Sequence, residues 1–250
     1  MSDKTLLITG GSRGIGRAAA IAACARGWAV GVNYAKDEAA AQEVVEVITR
    51  SGGRAVALRG DVSSEEDVAE MFEGTARALG PVTGVVVNAG IVAPTAKLAD
   101  MSLERMRRVF EVNVLGAYLT AREAARRLSK SRGGAGGSIV LISSAAARLG
   151  SPNLYVDYAG SKGAIDTLTI GLAKELALEG VRVNAIRPGL IDTDIHASGG
   201  EPDRAFTLGA TAPMARPGRP EEVAEAIAWL LDDAAASYVT GAILDVSGGR

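Results

Sequence analysis

Seven short runs of this chain, 6–9, 29–33, 55–58, 84–87, 138–142, 181–186 and 242–246, are apolar at nearly every position. A strand with one wet face alternates apolar and polar residues, so continuous runs predict strands covered on both faces, as in a parallel sheet. Between them, 15–26, 38–50, 65–79, 103–128, 156–179 and 221–231 repeat apolar residues at helical spacing. Ser63 with Glu66 fits a capping box, and Pro220 suits a first helical position. This alternation predicts an α/β fold: one doubly wound sheet of about seven parallel strands, helices on both faces, joined by right-handed crossovers. Such sheets take ligands beyond the carboxyl ends of their strands, where the winding reverses.

No linker or internal repeat interrupts the pattern, so residues 1–250 are expected to form a single domain. The stretch 190–217 has no period and carries Gly199, Gly200, Pro202, Pro213 and Pro217; it is expected to be a lid over the ligand. Four glycines within 132–137 mark a surface loop. With 250 residues, 48% of them hydrophobic, the chain can fill one large core. Its net charge of −2 argues against a nucleic-acid partner, which needs a clustered basic face. Arg126, Arg127, Lys130 and Arg132 end an expected helix and complement its dipole instead. One cysteine, Cys24, and one histidine, His196, permit no internal disulfide and no soft-ligand metal site, which fits a reducing compartment. No signal peptide is evident, and no apolar run approaches the roughly 20 residues of a membrane span, so a cytoplasmic protein without membrane contact is expected.

The turn Thr9-Gly10-Gly11-Ser12-Arg13-Gly14-Ile15-Gly16 lies between the first strand and the first helix. A pyrophosphate there would meet free backbone N–H groups and the positive end of the helix dipole. Gly10, Gly14 and Gly16 depart from the G-x-G-x-x-G spacing, so the turn alone does not settle the ligand. Gly10 to Gly14 also reads G-x-S-x-G, the nucleophile elbow of α/β-hydrolases, with Ser12 as nucleophile and His196 as base. Hydrolases place that elbow after several strands, and they leave Tyr158 and Lys162 without a role.

Tyr158 and Lys162 stand four apart, on one face of an expected helix. A phenol holds its proton to pH ~10, and lowering that to ~7 needs about 4 kcal/mol. One unit charge at ~4 Å and an effective dielectric of ~20 supplies about that much. The spacing therefore predicts a tyrosine made acidic by its neighbouring ammonium.

Further segments join these two: Val87-Asn88-Ala89-Gly90, Asn113-Val114-Leu115-Gly116, Ile142-Ser143-Ser144, Tyr158-Ala159-Gly160-Ser161-Lys162, and Arg187-Pro188-Gly189 through Thr193. Together with the glycine turn they resemble the short-chain dehydrogenase/reductase family over essentially the whole chain, which implies a Rossmann-type domain. The resemblance implies Tyr158 as general acid/base and Ser144 as hydrogen-bond partner of the substrate carbonyl. Lys162 would hold the nicotinamide ribose and lower the phenol's pKa, and Asn113 would maintain a water path that resupplies the proton. Ser144 precedes Tyr158 by 14 positions, one more than is usual, so loop 145–157 is expected to carry an extra residue; Ser143 remains an alternative. Tyr155 is expected to wall the substrate cleft. A nucleotide-binding regulatory protein without turnover stays an alternative reading, because fold does not guarantee chemistry.

The resemblance implies a nicotinamide cofactor held by Gly10, Ser12, Arg13, Gly14, Ile15, Gly16, Asn88, Ala89, Gly90, Tyr158, Lys162, Pro188 and Gly189. It also implies Asp61 and Val62 at the adenine, and Ile191 and Thr193 at the carboxamide. Around the second strand tip, Asn33, Tyr34 and Lys36 are candidates; Asp37 would argue for NAD but sits where a helix cap belongs. Arg13 and Lys36 suit a 2′-phosphate, so NADP(H) is expected, with NAD(H) possible. The substrate would be a small carbonyl or alcohol, a 3-oxoacyl thioester or a sugar. Asp192, Asp194, Glu201 and Asp203 make the lid acidic, which disfavours a bulky anionic partner. In related proteins the helices over 103–128 and 156–179 pack across subunits, which implies a homotetramer. If Arg13 and Lys36 meet a 2′-phosphate, Arg13→Ala with Lys36→Ala raises the KM for NADPH far more than that for NADH in steady-state kinetics; equal effects would reject the assignment.

Overall fold

A computed structural model of the chain describes residues 4–195, 199–201 and 203–250; His196 and Pro202 lie outside them. Seven strands form one sheet: β1 Thr5–Ile8, β2 Ala29–Tyr34, β3 Ala55–Arg59, β4 Gly84–Val87, β5 Gly137–Ile142, β6 Val181–Pro188 and β7 Ile243–Val246. Their order is β3-β2-β1-β4-β5-β6-β7, and every pair is parallel. The chain runs outward from β1 to β3, then returns to lay β4 against β1's other side. That reversal is where a doubly wound sheet opens a crevice.

The two-sided strands are explained by two cores. In β1, Leu6 and Ile8 enter one and Leu7 the other. The first is closed by helices α1 (Gly14–Cys24), α2 (Glu38–Arg50) and α9 (Pro220–Leu231). Ala18, Ala19, Ala20 and Ala23 let α1 lie close to the sheet. The second core is closed by α3 (Glu65–Leu79), α5 (Gly116–Leu128) and α7 (Val156–Leu176). The two edge strands depart from two-sided burial: β3 is half-buried with Arg59 exposed, and in β7 Leu244 and Asp245 are exposed.

Besides shifts of one or two residues at element ends, such as α1 ending at Cys24, three features differ from the sequence expectation. The expected helix over 103–128 is α4 (Leu103–Phe110), a π-helical turn Glu111–Leu115, and α5. Such turns widen a helix by one residue and recur at functional sites. Helix α7 ends at Leu176 and tightens into a 3₁₀ turn, Ala177–Glu179. The cap of α3 is Ser64, whose hydroxyl accepts from Asp67 N at 3.2 Å; Ser63 is drawn away to Asp61. Pro220 does open α9, and Glu222 accepts from Arg219 N at 2.7 Å. Two short helices have no sequence signature: α6 (Ala146–Leu149) and α8 (Arg204–Gly209). The second lies within 190–217, so that stretch is not wholly irregular. Its base is fastened, Asp192 N and Gly218 N bonding Gly218 O and Leu190 O at 2.9 and 2.8 Å.

Asn33, 2% exposed, ties three strand ends together. Its Oδ1 accepts from Gly10 N at 3.0 Å, and its Nδ2 donates to Gly60 O at 3.0 Å. Asn33→Leu keeps the volume but orphans both groups. At about 1–3 kcal/mol for each unsatisfied buried group, it is expected to cost about 3 kcal/mol in chemical denaturation. A loss under about 1 kcal/mol would show the tie to be dispensable.

Candidate active site

Loops after β1 to β6 converge on one cleft of about 920 Å³. Of the residues expected at the site, all line it except Gly16 and Asn113. Gly16 serves the turn itself: a Cβ there would lie 2.3 Å from Gly10 O. Gly10 and Gly14 adopt φ of +62° and +53°, the left-handed region that glycine enters without strain. The turn is held from β4, where Asn88 Nδ2 donates to Thr9 O and Gly10 O at 2.9 and 3.0 Å. Helix α1 then opens with no side-chain cap and no acid in its first turn, whereas Asp37, Ser64 and Ser102 cap α2, α3 and α4. Its first N–H groups are thus left for an external acceptor, which suits a pyrophosphate.

Asp37 is a helix cap, accepting from Ala40 N at 3.0 Å. Arg13 and Lys36 are exposed at the rim and form no ion pair among the described residues. Asn33 lines the cleft, yet its amide is engaged by backbone, so it offers a ligand little more than contact. Asp61 accepts from Ser63 N and Oγ at 2.9 and 2.6 Å and from Arg108 at 3.3 Å. Burial opposes its charge, but these hydrogen bonds and the guanidinium together hold its pKa below the usual range.

At the other end, Tyr158 and Lys162 both face the cleft from α7. The Ser144 hydroxyl lines the cleft with Tyr158 and accepts from Ala146 N at 3.1 Å, while Ser143 is buried and donates to Lys162 O at 3.1 Å. Geometry therefore selects Ser144 over Ser143. In the loop preceding Tyr158, Ser151 and Asn153 adopt left-handed φ of 45° and 62°. Tyr155 is a cleft wall, edge-on to Tyr158 with centroids 5.6 Å apart.

The expected acidification of Tyr158 by Lys162 is not what the structure gives. Burial pushes the phenol up to about 12, the Ser144 hydrogen bond only partly offsetting it, and Lys162 is not among the causes. Lys162 Nζ lies over the ring, 5.7 Å from its centroid, and donates to Ile142 O at 2.7 Å. It is 4% exposed, and burial brings its own pKa down to about 8, against a smaller upward pull from Asp166.

Asn113, carried on the π-turn, is 1% exposed and faces inward. Its Oδ1 accepts from Ile91 N at 2.8 Å, and its Nδ2 donates to Ile91 O at 2.9 Å and Ser161 Oγ at 3.1 Å. Ser161 in turn donates to Tyr158 O at 2.7 Å. The side chain thus links the β4 loop to α7, a positioning contact. Three arginines in the cleft wall escaped sequence reasoning: Arg108, Arg204 and Arg250. Arg204 stacks over Tyr155 at 5.1 Å, and its neighbour Glu201, read from sequence as part of an acidic lid, is its ion-pair partner.

Comparison with known proteins identifies the family. A family model described as enoyl-(acyl carrier protein) reductase matches residues 10–250. The uncharacterized oxidoreductase YgfF of Escherichia coli strain K12 is 51% identical over 98% of this chain and 98% of its own. The chain belongs to the short-chain dehydrogenase/reductase family. Glucose 1-dehydrogenase 2 of Bacillus subtilis strain 168 is 38% identical, covering 100% of this chain and 95% of its own. A dehydrogenase/reductase crystal structure from Sinorhizobium meliloti 1021 superposes with a TM-score of 0.89 at 34% identity, over 100% and 95% of the two chains. This oxidoreductase membership removes the hydrolase reading of Ser12. Among the described residues, no helix is long and apolar enough to cross a membrane, and no cluster of metal-ligating side chains occurs.

Lys162 binds protons less tightly folded than unfolded, about 8 against 10.5. Its burial therefore costs about 3 kcal/mol at pH 7, and that cost fades as pH rises from 8 towards 10.5. Wild type should gain stability relative to Lys162→Met between pH 8 and pH 10 in denaturant titrations. Parallel pH profiles would contradict the buried ammonium.

Proposed function

We propose that the chain interconverts a carbonyl and a secondary alcohol, using NADP(H) in preference to NAD(H), with Tyr158 as the proton-transferring group. The observation that carries this reading is Ser144 and Tyr158 lining one end of a cleft beside buried Lys162, with an uncapped helix start at the other end. Bound there, the nicotinamide would supply or accept the hydride. Gly10, Gly14 and the start of α1 suit its pyrophosphate, and the unpaired rim cations Arg13 and Lys36 favour a 2′-phosphate.

The chain's own task is the proton. A carbonyl oxygen that gains charge becomes an alkoxide, which binds a proton far more tightly than a phenolate does. A phenol pushed up to about 12 is fully protonated at neutral pH and still gives its proton downhill to that oxygen. Ser144 can donate to the same oxygen, and Lys162 places positive charge over the ring that becomes anionic. Tyr158 is in this form set up as an acid, which favours the reducing direction near neutrality; the oxidising direction should quicken as pH rises.

The exposed apolar residues Phe110, Leu115, Tyr118 and Ile170 on α4, α5, α7 and the turn between them support a homotetramer built through these helices. Tyr158→Phe removes only the hydroxyl. It is expected to bind NADPH as wild type does and to lose at least about 1,000-fold in kcat on a ketone panel, followed at the reduced-nicotinamide absorbance. Near wild-type turnover in this variant would reject Tyr158, and an inert wild type would favour a nucleotide-binding regulatory protein.

A further inference from the structure

Two side chains in the cleft have no part in the proton chemistry above. Arg204, on α8, has a side chain only 8% exposed. Glu201 takes one of its Nη atoms, but Nε is buried and makes no hydrogen bond among the described residues. Arg250, beyond β7, likewise buries Nη1 without a partner among the described residues. Buried guanidinium N–H groups are costly to leave unsatisfied, and here two of them line one cleft.

Their anchors set them at the reacting end. Arg204 stacks on Tyr155, which itself packs edge-on against Tyr158. Arg250 O accepts from Arg148 at 2.9 Å, and Arg148 lies on α6, the turn that follows Ser144. Arg13 and Lys36 belong to the opposite end. Asp194 also lines the cleft, but it follows Thr193, whose side chain packs against Gly14 on the glycine-turn side. Two guanidinium groups, one of them paired with Glu201, thus stand near the Lys162 ammonium at the reacting end, and a planar carboxylate matches guanidinium donors.

We propose that Arg204 and Arg250 form a carboxylate subsite, so that the substrate is an oxo acid or hydroxy acid whose carbonyl or hydroxyl meets Ser144 and Tyr158. The proposal rests on the oxidoreductase reading of this cleft and narrows its substrate class.

The test separates binding from turnover. In the full-length Tyr158→Phe variant with NADPH, oxo acids with two to five carbons between carbonyl and carboxylate are titrated calorimetrically beside their methyl esters. The best acid is expected to bind at least 10-fold more tightly than its ester. Arg204→Gln and Arg250→Gln should each weaken that acid by roughly 10- to 100-fold, with Arg204→Lys recovering part of the loss. Melting temperatures of the variants identify any that fail to fold, and the surviving one then decides. Acid and ester binding alike, no acid binding at all, or a preference that outlasts both substitutions would each overturn the subsite. If wild type reduces ketone esters while the arginine variants treat acids as wild type does, the subsite alone fails. If acids bind through the arginines yet are not reduced with either nicotinamide, the subsite stands and the oxidoreductase reading falls.

Discussion

Where β1 and β4 part, their backbone groups run out of sheet partners, and asparagine amides replace what the sheet no longer supplies. Asn88 donates to two carbonyls of the glycine turn, Asn33 accepts from Gly10 N, and Thr9 Oγ1 accepts from Asn88 N and Ala89 N at 3.0 and 3.1 Å. A crevice at the switch point needs strand ends that diverge without leaving orphaned polar groups. These side chains meet that need while keeping the turn's remaining N–H groups, at the start of α1, directed outward. The cleft is thus a consequence of how the sheet's winding reverses, and the loops after six strands inherit their placement from it.

The reacting end is governed by desolvation rather than by pairwise attraction. A surface ammonium four residues from a tyrosine would lower its pKa; here both groups are buried, and burial moves each towards neutrality. The helix spacing places Lys162 correctly, but its hydrogen bond to the Ile142 carbonyl directs the ammonium to the end of β5. The same hydrogen bond joins α7 to the sheet, so the lysine positions the helix that carries Tyr158. Asn113 and Ser161 complete that linkage from the β4 loop.

Much of this was legible in the sequence because period and burial are tightly coupled in parallel sheets. Runs such as Val85-Val86-Val87 admit no reading but a strand covered on both sides. Most motif residues fell into the cleft for the same reason: they sit at strand ends, and strand ends converge, while Tyr158 and Lys162 reach it from α7. What the sequence concealed was orientation. Nothing in Asn-Val-Leu-Gly tells that a π-turn rotates Asn113 inward to Ile91, and Ser63 and Ser64 compete for one cap until Asp61 is in place. Helix α8 is too short to show a period, and an arginine inside an aperiodic stretch looks like any solvated charge.

The cations of this cleft divide by exposure, and the division carries a functional argument. Arg13 and Lys36 stand in solvent at the rim, where a charge attracts a dianionic phosphate over several ångströms but discriminates weakly and is screened by salt. Arg204 and Arg250 hold donors out of water, where an unmatched ligand leaves them unsatisfied and a matched one is strongly preferred. Exposed charge therefore suits capture of a common carrier at the first end. Buried charge suits selection among substrates that differ by a single anionic group at the second. A small rearrangement of α8 would withdraw Arg204 from the second end and leave the first intact, which makes that short helix a part of the fold where specificity can be altered without disturbing the sheet.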